Sequence, residues 1–264
     1  MQHDAHHPVV LPPGLTYQFQ PIVAADGTRL LAYETLARRA MRDGTIQGPD
    51  SFIAQLLEPP GIAVFTRHSL EFALRRLAED PDLQGLSVNL SPRQAELQVT
   101  YDVLVAARPE DRRRLLIELT EDPIVDFRSL AAVLKLYAAL GVRILLDDIS
   151  GGWKQRCSAL LDSIVGLKID RNLIGYMATD PLPRGARSLF EYAAANGLIL
   201  VAEGVEDEAV MPLLTQRGDS HFQGFILGEP WPEPRVARRH IVRPRQFPSG
   251  IAPAQPLLSG FDES

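Results

Sequence analysis

A single cysteine, Cys157, stands among 264 residues, so no intrachain disulfide braces this chain and its fold has to be held by packing. That suits a reducing compartment, and the expected place for Cys157 is a small buried or half-buried side chain. Long apolar runs are missing as well. None approaches the roughly 20 residues that span a bilayer. The N-terminal "MQHDAHHPVVLPPG" has neither the charged start nor the long apolar stretch of a signal peptide. A cytoplasmic chain with no membrane partner is expected. Excess positive charge is also absent: the net charge of −6 excludes an overall basic footprint for long nucleic acid. The local basic runs, Arg112 to Arg114 and Arg235, Arg238, Arg239, Arg243 and Arg245, read as solvated faces. His3, His6 and His7 read as part of a frayed terminus.

What the chain does have is a globular composition, 45% hydrophobic and 23% charged, in a length that suits a single α/β barrel. Eight short apolar or alternating runs recur, at 17–24, 30–37, 85–91, 115–121, 142–148, 164–170, 198–206 and 221–227. Helical spacing separates them. Leu130, Val133, Leu134 and Tyr137 share one helical face with Gly141 as the stop, and Leu70, Leu74 and Leu77 share another after "EPPG". Only the first two strands are joined by a short turn, with Asp26-Gly27 as its hairpin signal, so this pair is predicted to be antiparallel. The fold class predicted is α/β: a modified TIM (β/α)8 barrel with an antiparallel first strand pair, with a doubly wound open sheet as the alternative. The domain spans 15–245. Residues 1–14 read as an N-terminal tail and 246–264 as a proline-rich C-terminal one.

Charged and amide residues cluster at the strand ends. Glu34, Asn89, Glu118 with Glu121, Asp147 with Asp148, Lys168 with Asp170, Glu203 with Glu206, and Gln223 close seven successive runs. In a barrel these ends open on one face. Each residue alone reads as a helix cap or a satisfied loop amide. Placed jointly, so many carboxylates repel one another unless they are protonated or bridged by a cation. Oxygen and amide donors without nearby Cys or His suit hard ions such as Mg²⁺ or Mn²⁺. Adjacent aspartates let one carboxylate bridge two ions while its neighbour holds the second, the arrangement used for in-line displacement at phosphorus. A lysine beside them suits the attacking water or the charge developing at phosphorus.

In order and at matching spacing, "QPI" with "YETLAR", "SVNLS", "IELTE", "LLDD", "LKIDR", "VAEGVED" and "QGFILGEP" resemble the EAL-domain family, bacterial phosphodiesterases that act on cyclic di-GMP. The likeness runs from Tyr17 to Pro230. It implies a modified TIM barrel that uses two divalent ions, Mg²⁺ or Mn²⁺, to open cyclic di-GMP to linear pGpG. By the same resemblance, Glu34, Asn89, Glu118 and Asp147 hold one ion, and Asp147 with Asp148 holds the other. Glu203 matches the catalytic glutamate and Lys168 the lysine on the nucleophilic water. Gln20, Leu36, Arg38 and Gln223 match substrate-binding positions, and Glu121 matches the glutamate that supports the loop after the paired aspartates. The family also implies pairing through that loop, hence a homodimer. Two stretches depart from the pattern. The signature triplet is "ETL", whose Thr35 should point away from the ligand by strand alternation. The loop reads "DDISGGWKQ" where the family has close to "DDFGTGYSS". The alternative function is therefore a degenerate EAL module that binds cyclic di-GMP or a protein partner without hydrolysis.

Overall fold

The structure, a computed structural model, describes residues 11–24, 29–149, 153–169, 184–206, 211 and 220–234. The first pair of strands, β1 (Leu15–Ala24) and β2 (Leu30–Ala40), is antiparallel as its spacing predicts, with Gln20 opposite Glu34. The Asp26-Gly27 turn lies outside the described residues, as do Asp170, the N-terminal histidines and the arginines from Arg235 onward. A two-residue strand with no sequence signal, β3 (Ile46–Gln47), folds back on the end of β2. The remaining strands are β4 (Leu86–Leu90), β5 (Leu115–Leu119), β6 (Arg143–Ile149), β7 (Gly166–Ile169), β8 (Ile199–Ala202) and β9 (Ser220–Phe222). From β2 through β4 to β9 each strand pairs in parallel with the next. β1 then closes the ring, antiparallel to both β9 and β2. The eight expected strands thus form a closed barrel, and the open-sheet alternative is excluded.

The helices are α1 (Ile53–Leu56), α2 (Gly61–Glu79), α3 (Pro92–Ala95), α4 (Gln98–Ala106), α5 (Pro109–Arg112), α6 (Phe127–Ala139), α7 (Trp153–Leu160) and α8 (Arg184–Ala195). Among the described residues no helix is long and apolar enough to cross a membrane. α6 shows why the pattern was readable. Asp126 caps it by accepting from the Arg128 and Ser129 backbone N–H groups, Leu130, Leu134 and Tyr137 are buried, and Gly141 leaves it at φ 91°. In α2, Leu70, Leu74 and Leu77 are likewise buried, and Cys157 on α7 is buried as its type suggests.

Two apolar layers follow from strand alternation. Leu115, Ile117 and Leu119 of β5 face outward into the core beneath the helices, while Leu116 and Glu118 face the barrel interior. The interior floor is a small plug of Ile22, Ala32, Leu116, Leu145 and Val201. Two residues further along the chain, Ala32, Leu116, Leu145 and Val201 give way to Glu34, Glu118, Asp147 and Glu203. A polar layer therefore rests directly on an apolar one. Gly166 belongs to the lower layer beneath Lys168, where an added Cβ would come within 2.5 Å of the Ile199 carbonyl oxygen.

Candidate active site at the mouth of the barrel

The polar layer surrounds a cavity of about 380 Å³ at the carboxyl ends of the strands. Gln20, Glu34, Leu36, Asn89, Asp147, Asp148, Lys168, Glu203 and Gln223 line it, so the residues predicted from seven separate segments do converge. Glu118 sits immediately below, fully buried, with its Oε2 2.6 Å from the Lys168 ammonium. The strand runs at 198–206 and 221–227 end sooner than their apolar pattern suggests, at Ala202 and Phe222. Gly204 turns the chain at φ 61°, and Gly224 packs its backbone on Val205, where a Cβ would meet the carbonyl oxygen at 2.2 Å. Glu203 and Gln223 are thus presented just past the ladder rather than within it.

The paired aspartates need a different device, because neighbours on a regular strand face opposite ways. The β6–β7 register breaks between Leu146 and Ile149, and Asp148 adopts φ 49°, alone among the described non-glycine residues in being positive. Aspartate tolerates this left-handed conformation better than most side chains. The irregularity brings Asp147, Asp148 and Glu203 together, with carboxylate oxygens within 4.8 Å of one another. Two like charges can stand near the end of this buried strand because the irregularity turns both of them into a polar cavity.

Lys168 is the electrostatic hub. Besides Glu118, its buried ammonium lies 3.2 Å from Asp147 and 3.7 Å from Glu34, and it contacts Glu203 directly. Burial pushes the Lys168 pKa down, yet the surrounding carboxylates outweigh burial and hold it well above the usual value. Burial pushes the Glu34 carboxyl up, but the Lys168 charge, the Asn89 amide at 2.7 Å and the Gln223 amide together bring it below its ordinary value. Glu118 moves the other way: burial and the Glu34 charge lift it well above the carboxylate range despite Lys168. Burial lifts Glu203 to about 8, with Lys168 opposing. One ammonium does not neutralise this many buried carboxyl groups. Glu118 Oε1 and Gln223 Oε1 are buried without a hydrogen-bond partner among the described residues. Orphaned oxygens, a surplus of buried carboxylate and an all-oxygen donor set fit a hard divalent cation.

Other predicted positions divide. Gln20 and Leu36 line the cavity, and Gln20 receives a hydrogen bond from Gln223 at 3.2 Å while donating to the Gly228 carbonyl at 3.2 Å. Arg38 shares the inward face of β2 with Glu34 but is turned aside. Its Nε donates to Gln18 Oε1 at 2.8 Å and its Nη1 to the Ala37 carbonyl at 2.9 Å. Glu121 does not reach the cavity lining and faces Arg156 on α7, 3.8 Å away. Thr35 points away as alternation requires, buried outside the barrel. Gly204, Glu206, Gly224 and Phe225 also line the cavity. Glu206 carried a strand-end signal, whereas Phe225, an exposed aromatic, looked like one more apolar residue of a final strand.

Fold and site together define a closed α/β barrel with a carboxylate and lysine cavity at the carboxyl ends of its strands. The chain belongs to the EAL domain family, which matches residues 13–230. It is 30% identical over 237 residues to the probable cyclic di-GMP phosphodiesterase PdeB of Escherichia coli (strain K12), a match covering 84% of this chain and 44% of that protein. Over 228 residues it is 28% identical to the bifunctional diguanylate cyclase/cyclic di-GMP phosphodiesterase MucR of Pseudomonas aeruginosa, covering 83% of this chain and 33% of that protein. The chain thus spans less than half the length of these curated relatives. Among solved structures, the PaMucR phosphodiesterase in complex with c-di-GMP superposes with a TM-score of 0.70 at 28% identity, over 83% of this chain and 92% of that one. The fold also matches that of Klebsiella pneumoniae BlrP1, solved as a manganese/cy-diGMP complex, with a TM-score of 0.66 at 24% identity, over 85% of this chain and 58% of that one.

Proposed function

We propose that the chain is a divalent-metal-dependent phosphodiesterase that hydrolyses cyclic di-GMP to linear pGpG. The observation that carries this reading is that Lys168 and Glu203, which simple ligand binding does not require, sit in contact at a cavity lined by Glu34, Asn89, Asp147 and Asp148, with Glu118 against Lys168 directly beneath. Glu34, Asn89, Glu118 and Asp147 would hold one Mg²⁺ or Mn²⁺, and Asp147 with Asp148 the second. Such a pair supplies Lewis acidity toward the phosphoryl oxygens and a water of lowered pKa. The protein's own part is to aim and to move protons. Lys168 orients the attacking water, and Glu203 accepts its proton as the new P–O bond forms. The ribose oxygen that leaves phosphorus is protonated to a hydroxyl, so one water is consumed per ring opened. Gln20, Leu36 and Gln223 line the same cavity and would meet the nucleotide. Arg38 would exchange Gln18 for a phosphate oxygen.

A second reading, ligand binding without turnover, is favoured by one feature: the stretch after Asp148 departs from the family pattern, with Ile149 packed into the core and Lys154 and Gln155 on α7. Titrating purified protein with cyclic di-GMP in EDTA and again in Mn²⁺, while following pGpG by chromatography, separates the two. Metal-dependent pGpG that a Glu34→Ala variant fails to make supports the enzyme. Equal binding in both buffers with no product supports the receptor.

A further inference from the structure

The sheet holds the paired aspartates weakly. The β5–β6 ladder ends at Leu119 opposite Leu146, and the β6–β7 register is interrupted from Leu146 to Ile149. Asp147 and Asp148 therefore stand past the last rung on one flank and in an irregularity on the other. A non-glycine residue at φ 49° keeps that conformation only if its surroundings hold it. Ile149 provides one anchor, buried and paired with Ile169. A second anchor stands on α7, which begins at Trp153. Arg156 Nη2 donates to the Thr120 carbonyl at 2.8 Å, and Thr120 N–H in turn donates to the Leu90 carbonyl at 3.1 Å. Leu90 adjoins Asn89, and Thr120 follows Glu118 closely. α7 is thus tied to the rim that carries two of the proposed ion-holding residues.

As a stabilising contact Arg156 is a poor choice. Its side chain is only 11% exposed, while Nε and Nη1 are buried with no hydrogen-bond partner among the described residues. Its carboxylate neighbour Glu121 is 42% exposed and 3.8 Å away, too long for a hydrogen bond. A desolvated cation with so little return is a weak contributor to stability, and a long apolar side chain serves the fold about as well. We propose that Arg156 is a positioning residue: it moors α7 to the β4–β5 rim and thereby fixes the Asp147–Asp148 pair relative to Asn89 and Glu118.

This inference rests on the reading of those four residues as ion ligands. The test is calorimetric titration of the full chain with Mn²⁺, beside metal-free thermal unfolding, for the parent, Arg156→Met and Arg156→Lys. Loss of a residue that orients ligands weakens metal binding by about 10 to 100-fold. That loss is expected in Arg156→Met with its metal-free Tm unchanged, and Arg156→Lys, which keeps a donor for Thr120, should recover part of it. Parental Mn²⁺ affinity in Arg156→Met overturns the proposal. So does a metal-free Tm that falls together with the affinity, or no recovery in Arg156→Lys. A parent that binds Mn²⁺ yet makes no pGpG overturns the proposed function and leaves this comparison standing, whereas a parent that binds no Mn²⁺ overturns both.

Discussion

Thr35 shows how much one atom can carry. It lies between Glu34 and Leu36 but on the opposite face of β2, and its buried Oγ1 has no hydrogen-bond partner among the described residues. An unsatisfied buried hydroxyl costs about 1–3 kcal/mol, so Thr35→Val, which keeps the branched shape, should stabilise the protein by about 1 kcal/mol. Thermal unfolding checks this, and an unchanged or lower Tm contradicts it. Tyr17 and Tyr33 give a pH dependence. Burial lifts both phenols from 10.0 to about 12, for Tyr17 against a hydrogen bond with Ser69. A pKa raised in the folded state means that this share of stability is complete below the unfolded value and is lost as pH climbs from 10.0 toward about 12. Tm should therefore decline across that window, and Tyr33→Phe should flatten the decline. An equally steep decline in the variant would remove Tyr33 as a contributor. Most of the residues that line the cavity were legible because a charged or amide group at the end of an apolar strand is conspicuous. Arg38 was legible as a type and a position only. Its partner Gln18, on the neighbouring strand, decides where the guanidinium points, and pairing across strands is not written in local spacing.

At the scale of elements, alternation and glycine do most of the placing. α6 and α2 could be read from the sequence because their caps and buried faces are local. The ends of β8 and β9 could not. Their apolar patterns continue through "EGVE" and "GFIL", and it is the Gly204 turn and the contact between Gly224 and Val205 that stop them. β3 escaped notice since two residues hold no period. Gly166 is the element-scale test of the layered interior. A Cβ there meets Ile199 backbone and side chain and Leu145 Cδ2, all within 2.9 Å, so Gly166→Ala forces the floor apart under Lys168. Overpacking of this kind costs about 1–3 kcal/mol. Denaturant unfolding should show that loss, accompanied by weaker Mn²⁺ binding because Lys168 and its carboxylates shift together. A variant as stable as the parent would mean that the floor is looser than its distances imply.

For the whole molecule, the barrel follows from strand count and alternation with helices, and its closure from the one antiparallel strand that meets both β2 and β9. Closure is what turns residues scattered from Gln20 to Gln223 into a single cavity, with the acidic groups above an apolar floor and a lysine among them. The sequence could point to that convergence, whereas the break in register that turns Asp147 and Asp148 the same way needed the structure. The proposed function requires that this cavity hydrolyse the dinucleotide and that Glu203 take the proton. The most direct measurement is the rate of pGpG formation from cyclic di-GMP at saturating Mn²⁺, for the parent and Glu203→Gln, with dinucleotide binding measured on both. General-base catalysis contributes about 10² to 10⁴-fold, so the variant should bind the dinucleotide normally and turn it over at least a hundredfold more slowly. Equal rates, or a parent that binds and never releases pGpG, would contradict the account.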